Sequence, residues 1–180
     1  TGISAKDIVN GYSIDDLERI LREYGEEKFS FRIAQNIDYH RKQKVIETTT
    51  ELANIISEAI PAKFKRTGGN PAKQSFQALR IEVNGELDAL KIALNDCFEA
   101  LNNKGRFVII TFHSLEDRLV KQAFNNLCTG CTCPPQFPVC VCGKKPRASL
   151  ITKKPLTASE EELKTNNRSH SAKVRCIEKI

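Results

Sequence analysis

Apolar residues in the first half of the chain recur at helical spacing, and the period changes abruptly near residue 106. In SIDDLERILREYGEE, Ser13 is placed to cap a helix with Asp16 three residues on. Leu17, Ile20, Leu21 and Tyr24 follow at offsets 0, 3, 4 and 7, which makes one apolar face. FSFRIAQNIDYHRKQK continues the pattern through Ile33 and Ile37 and ends in a basic run, so Arg32, His40, Arg41, Lys42 and Lys44 read as a solvated helix end, with contact to a nucleic acid as the alternative. TTTELANIISEAIP opens on candidate Thr caps, aligns Leu52, Ile55, Ile56 and Ala59, and stops near Pro61. KFKRTGGNP reads as an exposed basic connector. Asn70-Pro71 predicts a helix start, and the pattern then runs from Phe76 through Leu79, Val83, Leu87, Leu90, Leu94 and Phe98 to Leu101. That is long for one helix, and Asn84-Gly85 is the expected bend.

RFVIITF (106–112) is continuous, apolar and β-branched, the pattern of a strand buried on both faces of a parallel sheet. It calls for a neighbour on each side. HSLEDRLVKQAFNNL follows as a helix, with Ser114 and Asp117 spaced as a capping pair. Helix, glycine turn, buried strand and helix make half of an α/β layer. ASLITKK (148–154) reads as a strand, LTASEEELKTN as a short helix with a Thr157/Glu160 capping box, and SAKVRCIEKI as a final alternating strand. The expected fold class is α/β, with a helical domain over 1–84 and the last part of a sheet domain over 85–180.

Composition changes this picture in three places. No apolar run approaches the roughly 20 residues of a membrane span, so a cytoplasmic setting with reduced cysteines is expected. The sequence contains no Met, which predicts that Thr1 is not a translation start and that the chain is part of something longer. The net charge of +6 is unevenly placed: the segment 144–180 holds ten Lys/Arg against four Glu, and the remainder is balanced. Such segregation points to a polyanion surface, with a solvated basic tail as the alternative.

CTGCTCPPQFPVCVC (128–142) concentrates five of the seven cysteines. Cys131-x-Cys133 and Cys140-x-Cys142 suit tetrahedral zinc, although C-x-C is tighter than the usual C-x2-C. Cys128 is a substitute ligand, and a disulfide between the arms or free thiols are the competing states. Cys97 and Cys176 read as core residues.

Several stretches resemble one family. NPAKQSFQALRIEVNGEL, NKGRFVIITFHSLEDRLVKQAF and KPLTASEEELKTNNRSHSAKVR, in that order, resemble the bacterial small-subunit rRNA cytosine-N4 methyltransferases, the RsmH/MraW family. GISAKDIVNGYSIDDLERILREYGEE and the segment CPPQFPVCVCGKKP fit the same resemblance. It implies a class I methyltransferase that uses S-adenosylmethionine, with a helical domain inserted into a Rossmann-like sheet, acting on N4 of a cytidine in 16S rRNA. It also implies that the glycine-rich cofactor loop, the ribose-binding acidic residue and the catalytic Asp-Leu-Gly strand all precede Thr1. No cofactor-binding residue is then expected in this chain, and the chain alone is expected to be inactive.

Methylating an exocyclic amine requires the base to be splayed out, oriented and shielded from water. Ligands of open α/β sheets sit beyond the carboxyl ends of strands, which makes His113, Ser114 and Asp117 the catalytic candidates, with capping as the plain alternative. Arg168, His170, Lys173 and Arg175 are candidate phosphate contacts. Gln77 and Arg80 are candidates for the RNA cleft, with a helix–helix polar contact as the alternative. A small-subunit rRNA or ribosomal subunit is the expected partner, and a homodimer through the sheet edge is a further one. Two readings rival the enzyme: a zinc-containing RNA-binding module without catalysis, and a helical protein-interaction domain.

Overall fold

The protein is described by a computed structural model covering residues 2–65, 70–134, 136, 139 and 141–180. It divides into two compact units, 1–86 and 87–180.

The first unit is helical: α1 (Ala5–Gly11), α2 (Ile14–Glu23), α3 (Ser30–Arg41), α4 (Thr49–Ala59), a 3-10 turn (Ala62–Phe64) and α5 (Lys73–Asn84). Ser13 caps α2 by accepting from the Asp16 N–H at 3.1 Å. Thr48 caps α4 in a reciprocal box with Glu51. Glu51 accepts from the Glu47 and Thr48 amides and from Lys44. These donors favour the carboxylate, the Glu47 amide most, and bring its pKa down to about 2. Leu17, Ile20, Leu21, Ile33, Ile37, Leu52, Ile55 and Ile56 meet in one core, as the period predicts. Gly25 lets the chain pass α5 closely, since a Cβ there would stand 2.6 Å from the Leu21 carbonyl oxygen and 2.9 Å from that of Gln74.

Two expectations change here. Arg41 is not part of a solvated end: its guanidinium pairs with Asp38 and donates to the Val9 carbonyl at 2.9 Å, where α1 leaves carbonyls without helical partners. Asn70 does not cap α5 directly. It folds an Asx turn, accepting from the Ala72 N–H at 2.9 Å, and α5 starts three residues later.

The expected bend falls at Gly85, whose φ of +59° ends α5. Then come α6 (Glu86–Ala100), β1 (Arg106–Thr111), α7 (Ser114–Cys128), β2 (Ala148–Leu150), β3 (Leu156–Thr157), α8 (Glu160–Thr165), a 3-10 turn (Asn167–Ser171) and β4 (Lys173–Lys179). Ser159, not Thr157, caps α8, with Glu162 donating its N–H; Thr157 is taken up by β3. Cys97 stands exposed on α6, whereas Cys176 is buried in β4.

All strand pairings are antiparallel among the described residues: β4 is central, β1 lies on one side of it, and β2 and β3 pair with it as well. Phe107 and Ile109 of β1 pack with Leu94 and Phe98 of α6, Val120 and Phe124 of α7 and Ile177 of β4. Val108, Ile110 and Phe112 are more than half exposed, as is Leu156 of β3. The expectation of a parallel strand covered on both faces is therefore corrected. A continuous apolar run states that both faces are fit for burial; it does not encode a partner's direction or supply the second cover.

Candidate functional site

The carboxyl end of β1 delivers the chain into α7, and three sequence candidates meet there. His113, not Ser114, is the N-cap. Its Nδ1 accepts the Glu116 N–H at 3.4 Å, and Glu116 Oε2 accepts the Phe112 and His113 amides at 2.8 and 3.2 Å. With the cap at His113, Glu116 takes the third helical position and Asp117 falls one residue past it, so the box expected between Ser114 and Asp117 does not form. The His113 ring is nearly buried, and Nε2 lies 3.3 Å from Glu116 Oε1. The geometry does not make a hydrogen bond, so Nε2 is a buried nitrogen without a hydrogen-bond partner among the described residues. Ser114 is the first residue of α7.

Asp117, one turn into α7, accepts the Arg175 fork, Nε to Oδ1 at 2.7 Å and a terminal nitrogen to Oδ2 at 3.1 Å. Lys173 adds a contact at 3.4 Å. Arg175 hydrogen bonding lowers the Asp117 pKa against the cost of burial. This pair fixes α7 to β4 just behind the end of β1. Thr111, buried, donates its hydroxyl to the Lys173 carbonyl at 3.3 Å and closes the same corner.

The candidate RNA contacts separate into three groups. Arg168 and His170 are exposed on the 3-10 turn before β4, and the Lys173 side chain is 42% exposed. Arg175 is buried with its fork turned to Asp117. In the helical unit, Gln77 donates to the Tyr24 carbonyl at 3.1 Å, and Arg80 forms a two-pronged pair with Glu86 at 2.8 and 3.0 Å.

The helical unit holds a feature that the linear reading missed. A cleft of about 600 Å³ runs between the 26–29 turn, the 60–65 segment and the start of α5. Lys28, Lys63, Lys65 and Lys73 line it beside Phe64, together with Glu26 and Glu27. The Phe64 ring is half exposed, packs 5.2 Å from Phe29 and carries the Lys63 ammonium 5.0 Å from its centroid. Only the basic letters of KFK signal this in the sequence; the lysines at 28 and 73 join them through folding.

Of the proposed metal ligands, Cys131, Cys133 and Cys142 converge, with sulfurs within 4.8 Å of one another. Cys140 lies outside the described residues. Cys128 belongs to the sheet unit's core, where burial raises its thiol pKa.

Residues 1–180 match the MraW methylase family. The chain is 53% identical to the Ribosomal RNA small subunit methyltransferase H of Lachnospira eligens, over 99% of this chain and 56% of that protein. It is 56% identical to the protein of that name from Clostridium botulinum strain Kyoto, and 53% identical to that of Brevibacillus brevis, in each case over 99% of this chain and 57% of the relative. The chain thus spans little more than half the length of these curated relatives. A helical unit joined to a partial α/β sheet agrees with part of a methyltransferase-like fold, and the chain belongs to the MraW methylase family.

Proposed function

We propose that this chain is the substrate-binding and sheet-completing portion of an S-adenosylmethionine-dependent enzyme that methylates N4 of a cytidine in 16S rRNA, in the cytoplasm. The observation that carries the reading is the family match over the whole chain, with relatives named as small-subunit rRNA methyltransferases. Among the described residues no helix is long and apolar enough to cross a membrane.

On this reading the residues divide the labour. His113 stands at the carboxyl end of β1; because Nδ1 accepts the Glu116 N–H, Nε2 carries the proton and is placed to donate it to an acceptor on a base or the cofactor. Ser114 adds a polar contact at the same end. Asp117 acts as a positioning residue, holding α7 to Arg175 and thereby fixing where His113 stands. Arg168, His170 and Lys173 meet phosphates. Gln77 and Arg80 lie on α5 with the lysine-lined cleft beside Phe64, where an unpaired base can stack while ammonium groups hold the backbone. S-adenosylmethionine supplies the methyl group when bound; the elements that bind it are those the resemblance places ahead of Thr1. Those elements would cover Val108, Ile110 and Phe112. In the isolated chain, a second copy pairing along β1 would serve instead.

The test incubates the full-length gene product with small subunits from a strain lacking the modification and with labelled S-adenosylmethionine. The expected product is N4-methylcytidine on nucleoside chromatography, with no methylation and no cofactor binding by residues 1–180 alone. Methylation of another atom, or cofactor binding by the 180-residue chain, overturns the reading.

A further inference from the structure

The loop between α7 and β2 has a closed neck. The Arg147 N–H donates to the Leu127 carbonyl at 2.8 Å, and Gly130 lies so near Pro146 that a Cβ would meet its ring carbons at 3.2 and 3.3 Å. The two arms of the loop are thus in contact, and they bring Cys131, Cys133 and Cys142 together. From these three thiols we infer a structural zinc site, independent of the methyl-transfer reading.

The sulfur geometry carries the inference. Cys131 Sγ and Cys142 Sγ are 3.7 Å apart. Two thiolates bound to one zinc at about 2.3 Å, with tetrahedral angles, stand about 3.8 Å apart. A disulfide requires about 2.05 Å. The third sulfur, of Cys133, lies within 4.8 Å of both. The Cys133 backbone N–H donates to Cys131 Sγ at 3.4 Å, which tightens the C-x-C turn and favours the charged form of a metal-bound sulfur. Directly after Cys142 the chain reverses through Gly143 at φ +62°, a left-handed position that lets the backbone fold back behind the ligand. Soft thiolates suit zinc, which readily takes a tetrahedral set of them, and do not suit oxygen-preferring cations. The fourth position takes a donor from outside this trio. The site lies in an exposed loop, so the metal is structural: it crosslinks the two arms and fixes the approach of Lys144 and Lys145, which follow the last ligand.

The 180-residue chain, expressed with zinc supplementation and purified without chelator, should carry one equivalent of zinc by elemental analysis. Replacement by cobalt should produce sulfur-to-metal charge-transfer absorption together with the strong visible bands of tetrahedral cobalt. Cys131→Ser and Cys142→Ser should each lose the metal, whereas Cys97→Ser should keep it with an unchanged helical circular dichroism spectrum. Chelation should speed tryptic cleavage after Lys144 several-fold and leave cleavage within 1–65 unaltered. Three results overturn the site: metal-free protein whose thiols all react freely, an intact mass two hydrogens low with no zinc, or zinc retained in the Cys131→Ser/Cys142→Ser double variant.

Discussion

His113 serves two purposes that can be separated chemically. Its Nδ1 caps α7, while Nε2 is buried without a hydrogen-bond partner among the described residues. Asn also caps helices well but offers no nitrogen in the place of Nε2. His113→Asn should therefore keep thermal stability close to that of the parent while sharply lowering kcat for methyl transfer in the full-length enzyme. His113→Ala should lose activity and about 1 kcal/mol of stability as well. Full activity in His113→Asn, with stability lost in His113→Ala alone, would reduce the residue to a cap.

Arg175 and Asp117 test a different point at the same scale. Their side chains are only 11% and 12% exposed, and the Asp117 pKa is lowered, chiefly by Arg175. A lowered carboxylate pKa contributes stability that is complete above the unfolded value, near 4, and is lost as pH falls through the folded value. Arg175→Met should cost about 3 kcal/mol at neutral pH, because the nearly buried carboxylate loses its two-pronged partner and keeps only the longer Lys173 contact. The gap between parent and variant, followed by denaturant midpoints, should shrink below about pH 4. A gap that stays constant down to pH 2 would rule out the carboxylate as its source. Sequence reading placed Arg175 among phosphate contacts because it stands in a basic run; burial cannot be read from charge, and only pairing with α7 reveals what its fork holds.

At the scale of elements, caps and apolar periods were largely legible, because they depend on neighbours within about four residues. Ser13, Thr48 and the bend at Gly85 all act where their spacing put them. The caps after β1 and β3 slipped by one or two residues: His113 caps α7 one residue before Ser114, and Ser159 caps α8 because Thr157 is taken up by β3. The lone exposed face of β1 has a consequence of its own. Val108 and Ile110 form an apolar stripe next to an edge left unpaired among the described residues, the arrangement that invites strand addition. The 180-residue chain should self-associate with rising concentration in sedimentation runs. Val108→Lys/Ile110→Lys should remain monomeric with no loss of stability, because both side chains already face solvent. A parent chain that stays monomeric at high concentration would show that the stripe attracts nothing.

For the whole molecule, charge segregation and folding work on different information. The excess of positive charge after residue 144 is a property of the sequence alone, and so is the family resemblance that covers the chain. Helical periods, the strand β1 and the concentration of cysteines were likewise determined locally. Tertiary structure decided what those residues face. It turned Arg175 inward to Asp117 and left Cys97 exposed. It gathered Lys28 and Lys73 beside Phe64, and brought Cys142 within 3.7 Å of Cys131. The physical reason is range: caps and periods are set by a single turn of chain, whereas a buried fork, a lysine-lined cleft and a thiol trio require segments distant in sequence to pack together.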